Sequence, residues 1–198
     1  MDNIDELIRQ LRSPVFSSRP DALHELSNAQ DPRAIDAIVE TLEDADSALR
    51  DSAAEILGKL KSPRAVDALL RAVQDPNDWR LREYAAWALG EIGDPRAGDA
   101  LLPLLQEGTG DVIDAARHAL VKLGDKRIVP RFIKDPFHPK EWVRYISARL
   151  LGEIGDETAI AHLEQLQATH INVRHELDVR RTAGEAMAQI RRRTTHAA

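Results

Sequence analysis

A chain of 198 residues that is 43% apolar and 30% charged but only 4% aromatic suits helices packed through small side chains rather than through large rings. Its net charge of −6 works against a general nucleic-acid binder, which needs a basic face to displace counterions. Cysteine is absent, which removes disulfides, thiolate metal sites and cysteine nucleophiles. The acidic start carries no signal-peptide core and no stretch approaches the roughly 18 apolar residues of a membrane span, so a cytoplasmic protein is expected.

Residues 2–11 place Ile4, Leu7, Ile8 and Leu11 at helical spacing. A Ser/Pro-rich link over 13–20 leads to a second short helix around 21–26, and the pair reads as a degenerate first repeat. From residue 31 the chain copies itself. Asp31-Pro32-Arg33-Ala34, Ser62-Pro63-Arg64-Ala65, Asp94-Pro95-Arg96-Ala97, Asp125-Lys126-Arg127-Ile128 and Asp156-Glu157-Thr158-Ala159 each open a first helix. There Asp or Ser caps orphan amides and Pro supplies a preset φ. Apolar residues then recur at helical spacing, as in Ile35, Ile38, Val39 and Leu42, or Val66, Leu69, Leu70 and Val73. A polar break follows, and then a second, Ala-rich helix with an apolar stripe over 49, 53, 56, 57 and 60 and its counterparts.

Gly58, Gly90, Val121 and Gly152 occupy one column of these second helices, at offsets of 32, 31 and 31 residues. Glycine inside a helix costs about 1 kcal/mol relative to alanine, so close backbone contact between neighbouring helices is expected there. The glycine of the following junction suits a left-handed C-cap. A period near thirty of this kind means tandem helix pairs that bury their apolar faces against one another. The reading is one domain over 1–198, with repeats at 2–28, 31–61, 63–93, 95–124, 126–155 and 157–193. In the last repeat a longer turn spans 168–178, and Arg191-Arg192-Arg193 complements the dipole of the final helix.

The second helices also share an apolar-Arg pair, seen as Leu49-Arg50, Leu81-Arg82, Val143-Arg144 and Val179-Arg180, ahead of Ala or Ser and Leu-Gly-x-Ile/Leu. With the Gly-Asp-Pro-Arg-Ala junction, this resembles the phycobilisome-lyase type of HEAT-like repeat over roughly residues 31–193. The resemblance implies an all-α fold of armadillo type, a right-handed α-solenoid (an α–α superhelix) of about six helix pairs. It also implies that second helices line the concave face. Each column Arg is then structural and bonds an acidic residue of the preceding turn, with Asp44 or Asp46, Asp75 or Asp78, and Glu141 as candidates. The fourth repeat departs from the pattern, with Ile113 in place of Arg and Val121 in place of Gly.

On the faces away from the apolar stripe, the column of Glu55 continues through Trp87, His118, Arg149 and Glu185. Its flanks include Asp51, Glu83 and Tyr84, Asp114 and Ala115, and Tyr145. Tryptophan and tyrosine join large apolar area to a polar tip and dominate binding hot spots. The expected partner-binding patch is therefore Trp87, Tyr84, Trp142 and Tyr145, flanked by Glu83, Glu91, Arg149 and His118. Trp79 and Trp142 equally suit the plugging of elongated turns. Alanine at Trp87 or Tyr145 is expected to abolish partner capture while leaving the melting temperature nearly unchanged.

No P-loop, dinucleotide fingerprint, nucleophile elbow or zinc-type histidine pair is present, so no catalytic residue, metal site or cofactor is assigned. His24-Glu25 and His175-Glu176 are the only two His-Glu dipeptides, at non-equivalent positions. The leading function is a non-catalytic scaffold, adaptor or assembly factor that holds a protein partner, with no nucleic acid and no membrane involved. The alternative implied by the resemblance is a phycobilin lyase or bilin-chaperone subunit. Such a subunit would handle an open-chain tetrapyrrole for a phycobiliprotein and pair with another HEAT-like subunit. A homo-oligomeric scaffold is the third.

Overall fold

The computed structural model describes residues 3–14, 16–29, 31–130, 141–168 and 176–196. Among them there are helices and turns and no strand, and no helix is long and apolar enough to cross a membrane. The contacts divide the chain into two compact units, Met1–Leu123 and Gly124–Ala198, with the division at a repeat junction.

In the first unit α1 (Asn3–Leu11) pairs with α2 (Arg19–Ser27), and α3 (Pro32–Glu40) precedes α4 (Ser47–Leu60). Next come α5 (Val66–Ala72) and α6 (Trp79–Ile92), then α7 (Ala97–Leu101), α8 (Leu104–Glu107) and α9 (Gly110–Lys122). The first helix of the fourth repeat is thus broken into α7 and α8 at Pro103, whose ring and missing amide disrupt a continuous helical ladder. Caps form where the Asp positions predict them. Asp31 accepts from the amide of Arg33, Asp46 from Ala48, and Asp78 from Leu81. Ser62 is the exception: its side chain makes no capping bond.

The second helices α4, α6 and α9 lie side by side as one layer. Leu49, Ala53 and Leu57 are buried as expected, but Leu60 is 41% exposed and Ala54 is buried in its place. The reason is that α4 has two apolar neighbours, and Ala54 belongs with Gly58 on the α6 side. A Cβ built on Gly58 would lie 2.8 Å from Cα of Ala88, and one on Gly90 would lie 2.6 Å from Cα of Ala119. The interior glycines therefore let these helices touch backbone to backbone. Gly93 and Gly124 take the left-handed conformation at φ of 81° and 66°, whereas the equivalent role falls to Lys61 at 49°. A non-glycine residue pays roughly 1–2 kcal/mol in that region.

The column arginines bond differently from the expected pattern. Arg50 donates Nη1 to the carbonyl of Asp44 at 2.6 Å, and Nε and Nη2 to Asp78 at 3.1 and 2.5 Å. Its acidic partner belongs to the next repeat, because the carboxylate of Asp44 is taken by Arg19. Arg19 repeats the arrangement one pair earlier, with Nε on the carbonyl of Leu11 at 2.8 Å. Arg82 donates to the carbonyl of Val73 at 3.3 Å and forms no ion pair with Asp75 or Asp78. The shared rule is a bond to the preceding turn's backbone, with an acid from the following repeat where one is in reach. The Arg33, Arg64 and Arg96 side chains run a second, exposed ladder to Asp5, Asp36 and Asp67 at 2.9, 2.7 and 2.9 Å.

The second unit holds a 3-10 turn (Lys126–Ile128), α10 (Glu141–Ile154), a 3-10 turn (Glu157–Ala159), α11 (Ile160–Ala168) and α12 (Glu176–His196). α12 packs against both α10 and α11. The glycine logic recurs, since a Cβ on Gly152 would lie 2.8 Å from Cβ of Ala186. Arg144 is 1% exposed, and Arg180 donates to the carbonyl of Gln167 at 2.9 Å. Of the terminal arginines, Arg192 bonds within its own helix to Ala188, but Arg193 reaches the carbonyls of Glu153 and Gly155 and so caps the end of α10. Most of the long turn read over 168–178, and His175 within it, lies outside the described residues.

Capping and Arg pairing hold several carboxyls below the usual range. For Asp31, Asp94 and Asp125 the main cause is the side-chain bond from the Arg two residues on; for Asp156 it is the hydroxyl of Thr158.

Candidate functional site

Leu81, Ala85, Ala88 and Leu89 turn one face of α6 into the core. Positions 83, 84 and 87 then fall on its outer face, one helical turn apart. Together with Glu55 on α4 and Asp111, Asp114 and Ala115 on α9, they line a cleft of about 330 Å³. Trp87 is half-buried because its ring lies on Gly58, where a Cβ would come within 2.6 Å of Cζ3. Gly58 thus seats the ring, and Tyr84 stands half-buried beside it.

Among the described residues the lining is acidic, with no basic side chain in it. Glu55 pairs along its own helix with Lys59 at 2.6 Å, and Asp114 pairs with Arg117. Burial raises the Glu83 carboxyl above its ordinary range, and the charges of Asp111 and Asp51 add to this while Arg80 opposes it. Asp51, one turn before Glu55, is only 6% exposed. Its Oδ2 lies 3.1 Å from Nε of Arg80, and its Oδ1 has no hydrogen-bond partner. Burial raises this carboxyl too, with Arg80 again opposing. Among the described residues no group of three or more acidic or histidine side chains is arranged to hold a metal ion.

Of the residues expected in the patch, Glu83, Tyr84 and Trp87 come together in the cleft. Glu91 instead pairs with Lys122 of α9, and His118 is exposed on α9, one turn beyond Asp114. Tyr145 and Arg149 are exposed one turn apart on α10 of the second unit, and the side chain of Trp142 lies outside the described residues. Trp79 is 47% exposed at the first position of α6. The cleft gains Asp111 and Asp114, whose contribution depends on α9 lying beside α6.

Tandem helix pairs with this layered arrangement define an α-helical repeat protein. HEAT repeats match over residues 4–83 and 35–121, and the PBS lyase HEAT-like repeat matches over 143–169. The chain belongs to the HEAT-repeat family. No curated protein sequence matches it. Among solved structures it is similar to the complex of CpcE and CpcF of phycocyanin lyase from Nostoc sp., at 28% identity and a TM-score of 0.66, covering 92% of this chain and 75% of that one. Human deoxyhypusine hydroxylase is similar at 20% identity and a TM-score of 0.58, with coverages of 94% and 84%. A designed armadillo repeat protein in complex with the peptide (KR)4 is similar at 18% identity and 0.69, with coverages of 95% and 99%. The last two likenesses concern the fold alone.

Proposed function

We propose that the chain is a non-catalytic scaffold or assembly factor that holds a protein partner on the second-helix face of its first unit. The observation that carries this reading is the seating of Trp87 on Gly58 beside Tyr84, which presents two aromatic side chains in a cleft rather than in the core. Such residues offer large contact area at low entropic cost. Tyr145 and Arg149 offer a separate exposed pair on the second unit. No cofactor is needed for this role.

Affinity capture from the source cell tests it. Tyr84→Ala should lose the partner while costing no more than about 1 kcal/mol of stability, as befits a half-buried side chain. Trp87→Ala should lose the partner too, but its ring is part of the α4–α6 packing, so a stability cost of about 1–3 kcal/mol is expected rather than an unchanged melting temperature. Trp87→Phe keeps part of that packing and separates the two effects. Undiminished capture by Tyr84→Ala would remove the cleft from the account.

The second reading is a lyase subunit handling an open-chain bilin and working with another HEAT-like chain. The 28% identity to a chain of the phycocyanin lyase complex supports it. It requires phycobiliprotein genes in the source organism and a colour change when bilin is added to the protein with its partner.

A further inference from the structure

We infer that Asp51, Arg80 and Glu83 form a proton-responsive latch between α4 and α6: in mildly acidic medium the cluster takes up one proton, Arg80 passes from Asp51 to Glu83, and the two helices hold together more tightly. The inference concerns the free chain and stands without the partner reading.

Two carboxylates here share one cation. Asp51 lies in the second turn of α4, with its side chain only 8% exposed. Its Oδ2 is engaged by Nε of Arg80 at 3.1 Å, and its Oδ1 is buried without a hydrogen bond. Arg80 is 58% exposed, so it can swing away without opening the core. Glu83 stands half-buried one turn further along α6, where the charge of Arg80 also acts on it. Among the described residues Arg80 is the one cation acting on both carboxylates. Arg50 also acts on Asp51, but it is committed to Asp78 and to the carbonyl of Asp44. Asp78 repels Asp51, and Asp111 of α9 repels Glu83. Although α2 and α3 pack on α4 too, the charges that act on Asp51 come from α4, from α6 and from its cap.

A buried carboxylate with an unbonded oxygen is the costliest member of this cluster to keep ionised, so the first proton resides mainly on it. Burial raises both carboxyls above the ordinary range, in keeping with that order. The folded chain therefore holds a proton at a pH where the unfolded chain has released it. Stability accordingly rises as pH falls from neutral through the raised value. Asp31, Asp94, Asp125 and Asp156 act in the opposite sense, since their carboxyls are held low and stronger acid removes their contribution. The two trends meet in a stability maximum on the acid side of neutrality.

Urea denaturation of the full chain at a series of pH values, paired with carbon-13 NMR titration of the side-chain carboxyls, tests the latch. Asp51→Asn should be more stable than wild type at neutral pH. The gap in folding constant should close on acidification by at most about tenfold per pH unit, the limit for one proton. Arg80→Gln should be less stable than wild type at neutral pH and approach it in acid, because the cation counts most while Asp51 is charged. Glu25→Gln, on the exposed face of α2, should follow the wild-type curve. In the wild-type spectrum the Asp51 carboxyl should titrate at higher pH than that of Glu25. An Asp51→Asn curve that runs parallel to wild type, or lies below it at neutral pH, overturns the inference. If Asp51→Asn fails to fold, the wild-type titration decides alone, and an Asp51 carboxyl titrating with or below Glu25 overturns it.

Discussion

Replacing Gly90 with valine is expected to lower the stability of the first unit by about 3 kcal/mol, the upper range for overpacking a well-filled site. An added Cβ there would meet Cα of Ala119 at 2.6 Å and Cβ at 2.7 Å. Neither atom belongs to a flexible side-chain end, so α6 and α9 must separate along their length. Domains of this size have only about 5–15 kcal/mol in hand, and a loss of that size shifts an unfolding midpoint visibly. Gly90→Ala should fall between valine and wild type. Gly110→Ala is the control, because nothing lies within 4 Å of a Cβ at that position. Urea denaturation of the three variants checks the order. A Gly90→Val midpoint close to wild type would mean that the backbone contact between second helices does not hold the layer together.

Arg50→Ala should cost about 2–3 kcal/mol, below the figure for a fully buried pair because both partners keep some solvent contact. The side chains of Arg50 and Asp78 are 21% and 14% exposed, so water screens the pair only in part. Loss of Arg50 strands the carbonyl of Asp44 and removes the ion partner of Asp78, which also caps α6 through the amide of Leu81. A double-mutant cycle with Asp78→Asn should return a coupling above about 1 kcal/mol. Arg64→Ala is the comparison, since its pair with Asp36 is half exposed and worth about 0.2–1 kcal/mol. Equal costs at Arg50 and Arg64 would reduce the column arginine to a surface ornament of the repeat.

What could be seen in the chain beforehand was whatever depends on local chemistry. The helix starts at Asp31, Asp125 and Asp156 follow from capping, and the closeness at Gly58, Gly90 and Gly152 follows from the cost of glycine inside a helix. The partner of Arg50 was misread because it depends on where the next repeat sets down its cap, and no residue near Asp44 records that Arg19 already occupies it. Leu60 was misread for a related reason: a helix with two neighbours buries two stripes, and Ala54 and Gly58 leave little apolar signal for the second. In the cleft, Glu83, Tyr84 and Trp87 share adjoining columns and could be grouped from the alignment of repeats. Asp114 reads only as a flank of the Glu55 column, and its convergence with Asp111 and Glu83 exists only once α9 lies beside α6. Asp51 gave no warning at all, since burial of a charge is a tertiary property.

The most direct test of the docking face is a photo-crosslinking amino acid placed at Tyr84 and, separately, at Arg64 on the exposed ladder, in the full chain expressed in its source cell. A protein adduct from position 84 that is absent from position 64 is the predicted result. Adducts from position 64 with none from position 84 would contradict the account and put the partner on the opposite side of the repeats.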